Sequence, residues 1–179
     1  VDPTLATLRR AQTGELRVFW EANSRDEIHR ALDLSEEFGL TPVIVGGHEA
    51  WRVASRLAAN KIPVVLRIDF GEEPKMVSGA QKQPRQLPRS PRLVAEERRK
   101  WMERISGVVH LIEKGVMCCF STEGHAKPSD FFNNLRRACA QGLAPQAAVK
   151  ALTQNAATML GVDDRIGRLR KNYAAHVAI

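Results

Sequence analysis

The stretch RVFWEANSRDEIHRALDLSEEFGLTPVIVGG, residues 17–47, predicts one strand, one helix and a second strand. Its first residues are rich in β-forming side chains, and Ser24 with Glu27 then has the spacing of a helix capping box. Apolar side chains recur at helical spacing as far as Gly39, a residue that favours a helix end. Because two parallel strands need a crossover connection, this order predicts a parallel pair.

The same alternation continues along the chain. Apolar runs predict a third strand at 62–70 and a fourth at 115–122, and helical spacing predicts a long helix over 92–114. Ser129 or Asp130 is expected to cap a further helix. Short helices are then expected at 146–152 and 155–160, and a last strand at 173–179. Four such strands fit a doubly wound sheet or half of a (β/α)8 barrel, and the pattern alone does not choose between them.

Composition places the chain among globular proteins. It has 179 residues, of which 44% are hydrophobic and 26% are charged. The longest apolar runs fall far short of the roughly 20 residues that cross a bilayer, so we expect no membrane partner. No secretory leader is visible within the sequence, and we expect a cytoplasmic protein unless a leader lies upstream. The three cysteines, two of them adjacent, favour buried thiols over a disulfide framework.

The net charge of +7 is concentrated in one segment. Between Lys75 and Arg104 there are nine Lys or Arg residues and three Glu residues. The part over 72–92 has no aromatic side chain that would stack on bases. We therefore predict a solvated basic loop at 71–92 and do not expect nucleic acid as a partner. An anion- or nucleic-acid-binding α/β domain, using Gly46 and Gly47 at a helix N-terminus, stays open as an alternative.

Two long stretches resemble one protein family. The pair EANSRDEIHRALDLSEEFGL (21–40) and VIVGGHEAWRVASRLAANKIPVVL (43–66), and the segment from 120 to 179, resemble the later barrel units of the amidohydrolase superfamily, especially its imidazolonepropionase-like members. The most specific motif is KALTQNAATMLGVDDRIGRL, residues 150–169.

The resemblance implies a fold. Residues 1–170 would be the C-terminal half of a TIM-like (β/α)8 barrel with four parallel βα units, carrying the basic loop at 71–92. Residues 171–179 would be the first return strand of a small accessory β-sandwich. Such a half-barrel leaves open strand edges, so we expect either the missing N-terminal half or a second copy of the chain as its partner.

The resemblance also implies a function: hydrolysis of C–N bonds other than peptide bonds in a small-molecule substrate. A divalent metal, with zinc first, would activate the attacking water at the C-terminal ends of the strands. The His-x-His motif of the family's first strand is absent from this sequence. This chain alone is therefore expected to be inactive, whereas its full-length parent would be the enzyme.

Carried over residue by residue, the family's ligand positions are changed. The fifth-strand histidine corresponds to Glu21, the position two residues later to Asn23, and the sixth-strand histidine to Gly46, with His48 as the nearest substitute. The catalytic aspartate after the eighth strand corresponds to Glu123. Glu21 and His48 are therefore the predicted metal ligands.

The remaining site predictions follow from positions near strand ends. Glu123 and His125 are the predicted catalytic groups, and the predicted substrate-binding residues are Asn23, Asp26 and Asp69. In the alternative interpretation the site has lost its metal and holds no cofactor. The protein would then be a catalytically inactive barrel descendant that binds a small ligand or a partner.

Overall fold

A computed structural model of the chain describes residues 3–75 and 90–174. Its sheet has four parallel strands in the order β1-β2-β3-β4. The strands are Arg17–Ala22 (β1), Thr41–Gly46 (β2), Val64–Arg67 (β3) and Cys118–Ser121 (β4). The predicted parallel strands and their sequential order are confirmed.

Helices connect and follow the strands. They are Pro3–Gln12 (α1), Arg25–Glu37 (α2), Ala54–Ala59 (α3, entered through a 3-10 turn at Ala50–Val53), Pro91–Glu113 (α4), Pro128–Ala140 (α5), Pro145–Leu152 (α6) and Gln154–Leu160 (α7). In the described part of the chain, no helix combines the length and the apolar character needed to cross a bilayer.

The strand order decides between the two candidate architectures. A doubly wound sheet reverses its strand order, whereas this sheet does not. With right-handed crossovers, a sequential order puts all connecting helices on one face. Ile44, Leu66 and Cys118 of that outer face share one core with side chains of α2 to α6. The chain is therefore a segment of a TIM-like barrel, as the resemblance implied.

Helix α7 lies against the opposite, inner face of the sheet. Met159 packs with Val43 and Cys119 in a second small core. Arg17, the first residue of β1, donates hydrogen bonds to the carbonyl oxygens of Thr158 (2.9 Å) and Met159 (2.6 Å). Helix α7, which lies within the motif at 150–169, thus packs on the inner face near the N-terminal end of β1.

The turn from β1 into α2 contains the predicted capping box. The Ser24 hydroxyl accepts a hydrogen bond from the Glu27 N–H, and the Glu27 carboxylate accepts from the N–H groups of Asn23 (2.8 Å) and Ser24 (3.0 Å). These bonds satisfy donors that a helix start leaves unpaired. Glu21 and Asn23 therefore lie at a fixed strand end.

Some sequence predictions differ from the structure or lie beyond it. Helix α5 begins at Pro128 with Lys127 as its N-cap, and not after a capping Ser129 or Asp130. Proline suits the first helical turn because its missing N–H has no partner to lose there. Helix α1 was not predicted. Most of the predicted strand at 173–179, and most of the basic loop, lie outside the described residues.

Candidate functional site

The C-terminal ends of the four parallel strands carry the predicted polar side chains. Glu21 is the last residue but one of β1. His48, Asp69 and Glu123 each lie two residues beyond the ends of β2, β3 and β4. Because the strands are parallel and adjacent, all four residues are at one edge of the sheet, which we call the mouth. In barrels of this kind the mouth is where active sites are built.

An arginine on β3 links a carboxylate on β1 with a carboxylate that follows β4. Arg67, the last residue of β3, donates from Nε (2.9 Å) and Nη2 (2.5 Å) to the two carboxylate oxygens of Glu123. The same Nη2 donates to Oε1 of Glu21 at 3.0 Å. The side chain of Arg67 is only 16% exposed, whereas those of Glu21 and Glu123 are 64% and 57% exposed. We call these three residues the Arg67 cluster.

The register of the sheet explains why these three side chains meet. Glu21 is level with Val45, Val45 with Val65, and Arg67 with Ser121. Since alternate side chains of a strand share a face, Glu21 and Arg67 both project from the inner face. The hydrogen bonds that Arg67 donates to Glu123, more than the one it donates to Glu21, raise the pKa of the Arg67 guanidinium above its ordinary value. Arg67 is therefore a permanent cation between two carboxylates.

His48 lies beside the Arg67 cluster but in a different environment. It lines a small cavity with Trp51, Phe70 and Arg104, and its side chain is half-buried. Burial lowers the pKa of His48, the positive charges of Arg104 and Arg67 lower it further, and Asp69 acts in the opposite direction. His48 is accordingly a neutral imidazole at neutral pH.

Gly46 stands where the resembled family has its sixth-strand ligand, and Asn23 fills the space beside it. Gly46 has a φ of +95°, and a Cβ built on it would lie 2.2 Å from Oδ1 of Asn23. That oxygen is buried and has no hydrogen-bond partner among the described residues. Asn23 is a predicted substrate-binding residue, but its side-chain oxygen packs against the Gly46 backbone.

The donor groups at the mouth do not form a metal centre on their own. Within residues 3–75 and 90–174, no three His, Cys, Asp or Glu side chains are grouped so that they could hold an ion. Both carboxylates of the Arg67 cluster already accept hydrogen bonds from a guanidinium, and Gly46 offers no ligand. A catalytic zinc normally has three protein ligands. The described residues therefore do not fit the implied metal on their own, and the roles predicted for Glu21 and His48 stay predictions.

His125 is held by hydrogen bonds at both ring nitrogens. Its Nδ1 lies 3.0 Å from the carbonyl oxygen of Thr122, and its Nε2 lies 3.2 Å from Nδ2 of Asn134. A carbonyl oxygen only accepts, so Nδ1 carries the proton and Nε2 accepts from Asn134. Arg137 donates to the other side-chain atom of Asn134, Oδ1, at 2.9 Å. These contacts fix the ring, which also packs edge-on against Phe131.

Asp69 and His125 share a polar cavity of about 330 Å3 at the mouth. Asn134, Asp130 and Arg137 also line it. Oδ1 of Asp69 accepts a hydrogen bond from the N–H of Gly71 at 3.1 Å, which holds the carboxylate in the loop after β3. The cavity presents both charges and amide groups, so it suits a small polar molecule.

Asp26 does not join the other predicted residues. Its exposed carboxylate accepts a hydrogen bond from Nε of Arg25 at 2.9 Å, and that bond together with the charge of Arg25 lowers its pKa. None of its contacts in the described ranges reaches the Arg67 cluster. Its predicted role in substrate binding stays a prediction.

Sequence reasoning missed Arg67, although a signal was present. It lies in the middle of the apolar run at 62–70, in which Asp69 is the other charged residue. An unpaired charge is rare on a buried strand, so a cation there needs an acidic partner on the neighbouring strands.

Comparison with known proteins gives a consistent family. The family model described as "Amidohydrolase family" matches residues 87–179. A crystal structure of an amidohydrolase from Thermotoga maritima MSB8 is 26% identical, with a TM-score of 0.71 over 98% of this chain and 40% of that one. No curated protein matches the chain.

Two further solved structures share the fold. One is another amidohydrolase, 20% identical with a TM-score of 0.65 over 95% of this chain and 39% of its own. The other is described as an uncharacterized protein, 18% identical with a TM-score of 0.64 over 95% of this chain and 40% of its own. The chain thus spans about 40% of the length of the structures that it matches.

Proposed function

Because this chain belongs to the amidohydrolase family, we propose that the protein hydrolyses C–N bonds other than peptide bonds in a small-molecule substrate. The observation that carries the proposal is the convergence of Glu21, Asp69, Glu123 and His125 at the C-terminal ends of adjacent parallel strands. We further propose that the remaining barrel strands come from residues upstream of this chain or from a second copy of it.

Glu123 is the group that this chain offers for proton transfer. Hydrolysis requires the attacking water to lose a proton and the departing nitrogen to gain one. As the water oxygen bonds to the carbonyl carbon, the Glu123 carboxylate accepts the water proton. It then donates that proton to the nitrogen as the C–N bond breaks. The two hydrogen bonds from Arg67 hold the carboxylate in one orientation throughout.

The polar cavity lined by Asp69 and His125, whose wall includes Gly124, the residue after Glu123, is the proposed place for the substrate. Asp69 can accept a hydrogen bond from an amide or lactam N–H, and Arg137 can donate to a carbonyl oxygen. The resemblance of the chain to imidazolonepropionase-like members puts cyclic amides first among the candidate substrates. Linear amides and cyclic imides come next.

The test is turnover of such a panel by the full-length protein, measured as release of the carboxylate or the amine. We expect Glu123→Gln to lower kcat by about 100-fold or more, the usual contribution of a positioned acid–base group. The matched control is Glu15→Gln, an exposed carboxylate paired with Arg10 ahead of β1, which should leave turnover unchanged. Equal activity of the two variants, or no turnover of any compound, would contradict the proposal.

A second candidate, a metal-free protein that binds a small ligand without turnover, is favoured by one set of contacts. Both Glu123 oxygens accept from Arg67, and both ring nitrogens of His125 are engaged. Equilibrium dialysis against the same panel separates the candidates, because this one requires binding with no chemical change.

A further inference from the structure

We propose that Arg67 is a tethered cation that replaces a metal ion between Glu21 and Glu123, so that the mouth works without a divalent cation. This inference concerns the charge at the site and does not depend on whether the protein turns over a substrate. It rests on the contacts of Arg67 and on the closed position at Gly46.

The guanidinium makes the contacts that a cation between these carboxylates would make. Nε and Nη2 together give three hydrogen bonds of 2.5 to 3.0 Å to Glu123 and Glu21. A bidentate arginine and carboxylate pair is among the stronger polar contacts in proteins, and its geometry is fixed. The arginine is also the least exposed member of the cluster, at 16%.

A metal ion and Arg67 exclude one another at this site. An ion bound to the same carboxylate oxygens would lie within a few ångströms of the guanidinium, and two like charges at that distance repel strongly where the site is partly buried. Arg67 cannot relieve this repulsion by losing a proton, because arginine stays charged in proteins. Its backbone is held in place because it is the last residue of β3, in register with Ser121 of β4.

Position 46, at the end of β2, could supply a further metal ligand only if the space beside it were free, and Asn23 fills that space. A side chain at Gly46 would collide with Oδ1 of Asn23 at 2.2 Å, so no ligand can be supplied from the end of β2 without moving Asn23. His48, two residues after Gly46, lines a cavity with Arg104 and Arg67, and the two arginines outnumber the one carboxylate acting on it, Asp69. A second cation is disfavoured from this side too.

The experiment measures metal binding in four forms of the full chain, the wild type and three variants. Arg67→Met keeps much of the side-chain volume but removes the charge. Arg99→Met is the matched control, because Arg99 also pairs with two carboxylates, Glu96 and Glu103, on the far surface of α4. Metal content is determined after purification without chelators, and Mn2+ affinity by equilibrium dialysis with Mn2+ alone.

We expect the wild type and Arg99→Met to carry far less than one metal per chain and to bind Mn2+ weakly. Arg67→Met should bind Mn2+ at least roughly tenfold more tightly, because two carboxylates then lack their cation. Arg67→Lys should stay as metal-poor as the wild type because it keeps the positive charge. Far-UV circular dichroism checks that each variant is folded.

Two results would overturn the inference. One is stoichiometric metal in the wild type that Glu21→Gln or Glu123→Gln removes. The other is an Mn2+ affinity of folded Arg67→Met equal to that of Arg99→Met. Neither result bears on the turnover of C–N substrates, which is measured separately.

Discussion

The side-chain oxygen of Asn23 occupies the space that a Cβ on Gly46 would need, with only 2.2 Å between the two atoms. Asn23 follows the last residue of β1 and Gly46 is the last residue of β2, and the N–H of Gly47 donates to the carbonyl oxygen of Ala22 beside them. The contact ties β1 to β2 at the mouth and requires glycine at position 46.

Replacing Gly46 by alanine should destabilise the protein. The φ of +95° is strained for any side chain, at a cost of about 1–3 kcal/mol. The collision with Asn23 adds about 1–3 kcal/mol of overpacking. Urea unfolding of the variant measures the sum.

Gly39→Ala is the control, because Gly39 also has a positive φ, of +65°, but nothing lies within 4 Å of its added Cβ. It should show the backbone strain without the collision. Adding Asn23→Ala to Gly46→Ala should recover part of the loss. A Gly46→Ala variant as stable as Gly39→Ala would show that the contact does not constrain the strand ends.

Gly107→Ala tests the packing of α4 on the outer face. In a helix interior, alanine is favoured over glycine by about 1 kcal/mol. Here the new Cβ would lie 2.4 Å from Cδ1 and 2.7 Å from Cγ of Trp51, so overpacking of about 1–3 kcal/mol should win. We expect Gly107→Ala to lower the thermal stability of the wild type. In a Trp51→Ala background, where the collision is removed, the same substitution should raise the stability. Stabilisation in the wild-type background would contradict the packing.

The capping box of α2 should make the free energy of unfolding depend on pH in the acidic range. Hydrogen bonds from the N–H of Ser24, and then of Asn23, lower the pKa of the Glu27 carboxyl below its ordinary value of 4.5. A carboxyl with a lowered folded pKa stabilises the fold above its unfolded pKa, and this stabilisation is lost as pH falls through the folded pKa.

The free energy of unfolding of wild type and Glu27→Gln should therefore differ at neutral pH and converge as the solution is acidified below the ordinary carboxyl pKa. Glu37→Gln removes the same charge from the exposed far end of α2 and should not reproduce this pH dependence. A difference that grows on acidification would rule out the cap.

The cysteines should differ sharply in reactivity. Burial raises the pKa of Cys118 to about 12, with a smaller effect from its neighbour, and burial alone raises the pKa of Cys119 to about 11. Cys139 is only half-buried. Since the thiolate is the reactive form, an aromatic disulfide reagent at mildly alkaline pH should titrate one thiol in the folded protein and three in urea. Cys139→Ser should remove the reaction of the folded protein with the reagent. A reaction that persists in this variant would show that the reagent reaches Cys118 or Cys119.

The sequence was sufficient for the four strands and for α2, but not for α1 or for the side-chain pairing at the mouth. Apolar runs located β1 to β4, and Ser24 with Glu27 located the start of α2, because each of these signals is local. The choice of a barrel over a doubly wound sheet needed the strand order, which depends on contacts between distant segments.

The Arg67 cluster could not be predicted in full, because three separate strand ends meet there. Strand parity places Glu21 and Arg67 on one face only after the register is known. The packing of Asn23 against Gly46 was equally hidden, since a glycine in a sequence does not say which atom needs its space.

The most direct measurement is anomalous diffraction at the zinc edge from crystals of the protein grown with Zn2+. We expect the Arg67 guanidinium between Glu21 and Glu123, and no zinc peak within coordination distance of either carboxylate. A zinc peak bridging the two carboxylates, with Arg67 turned away, would contradict the replacement of the metal by the arginine.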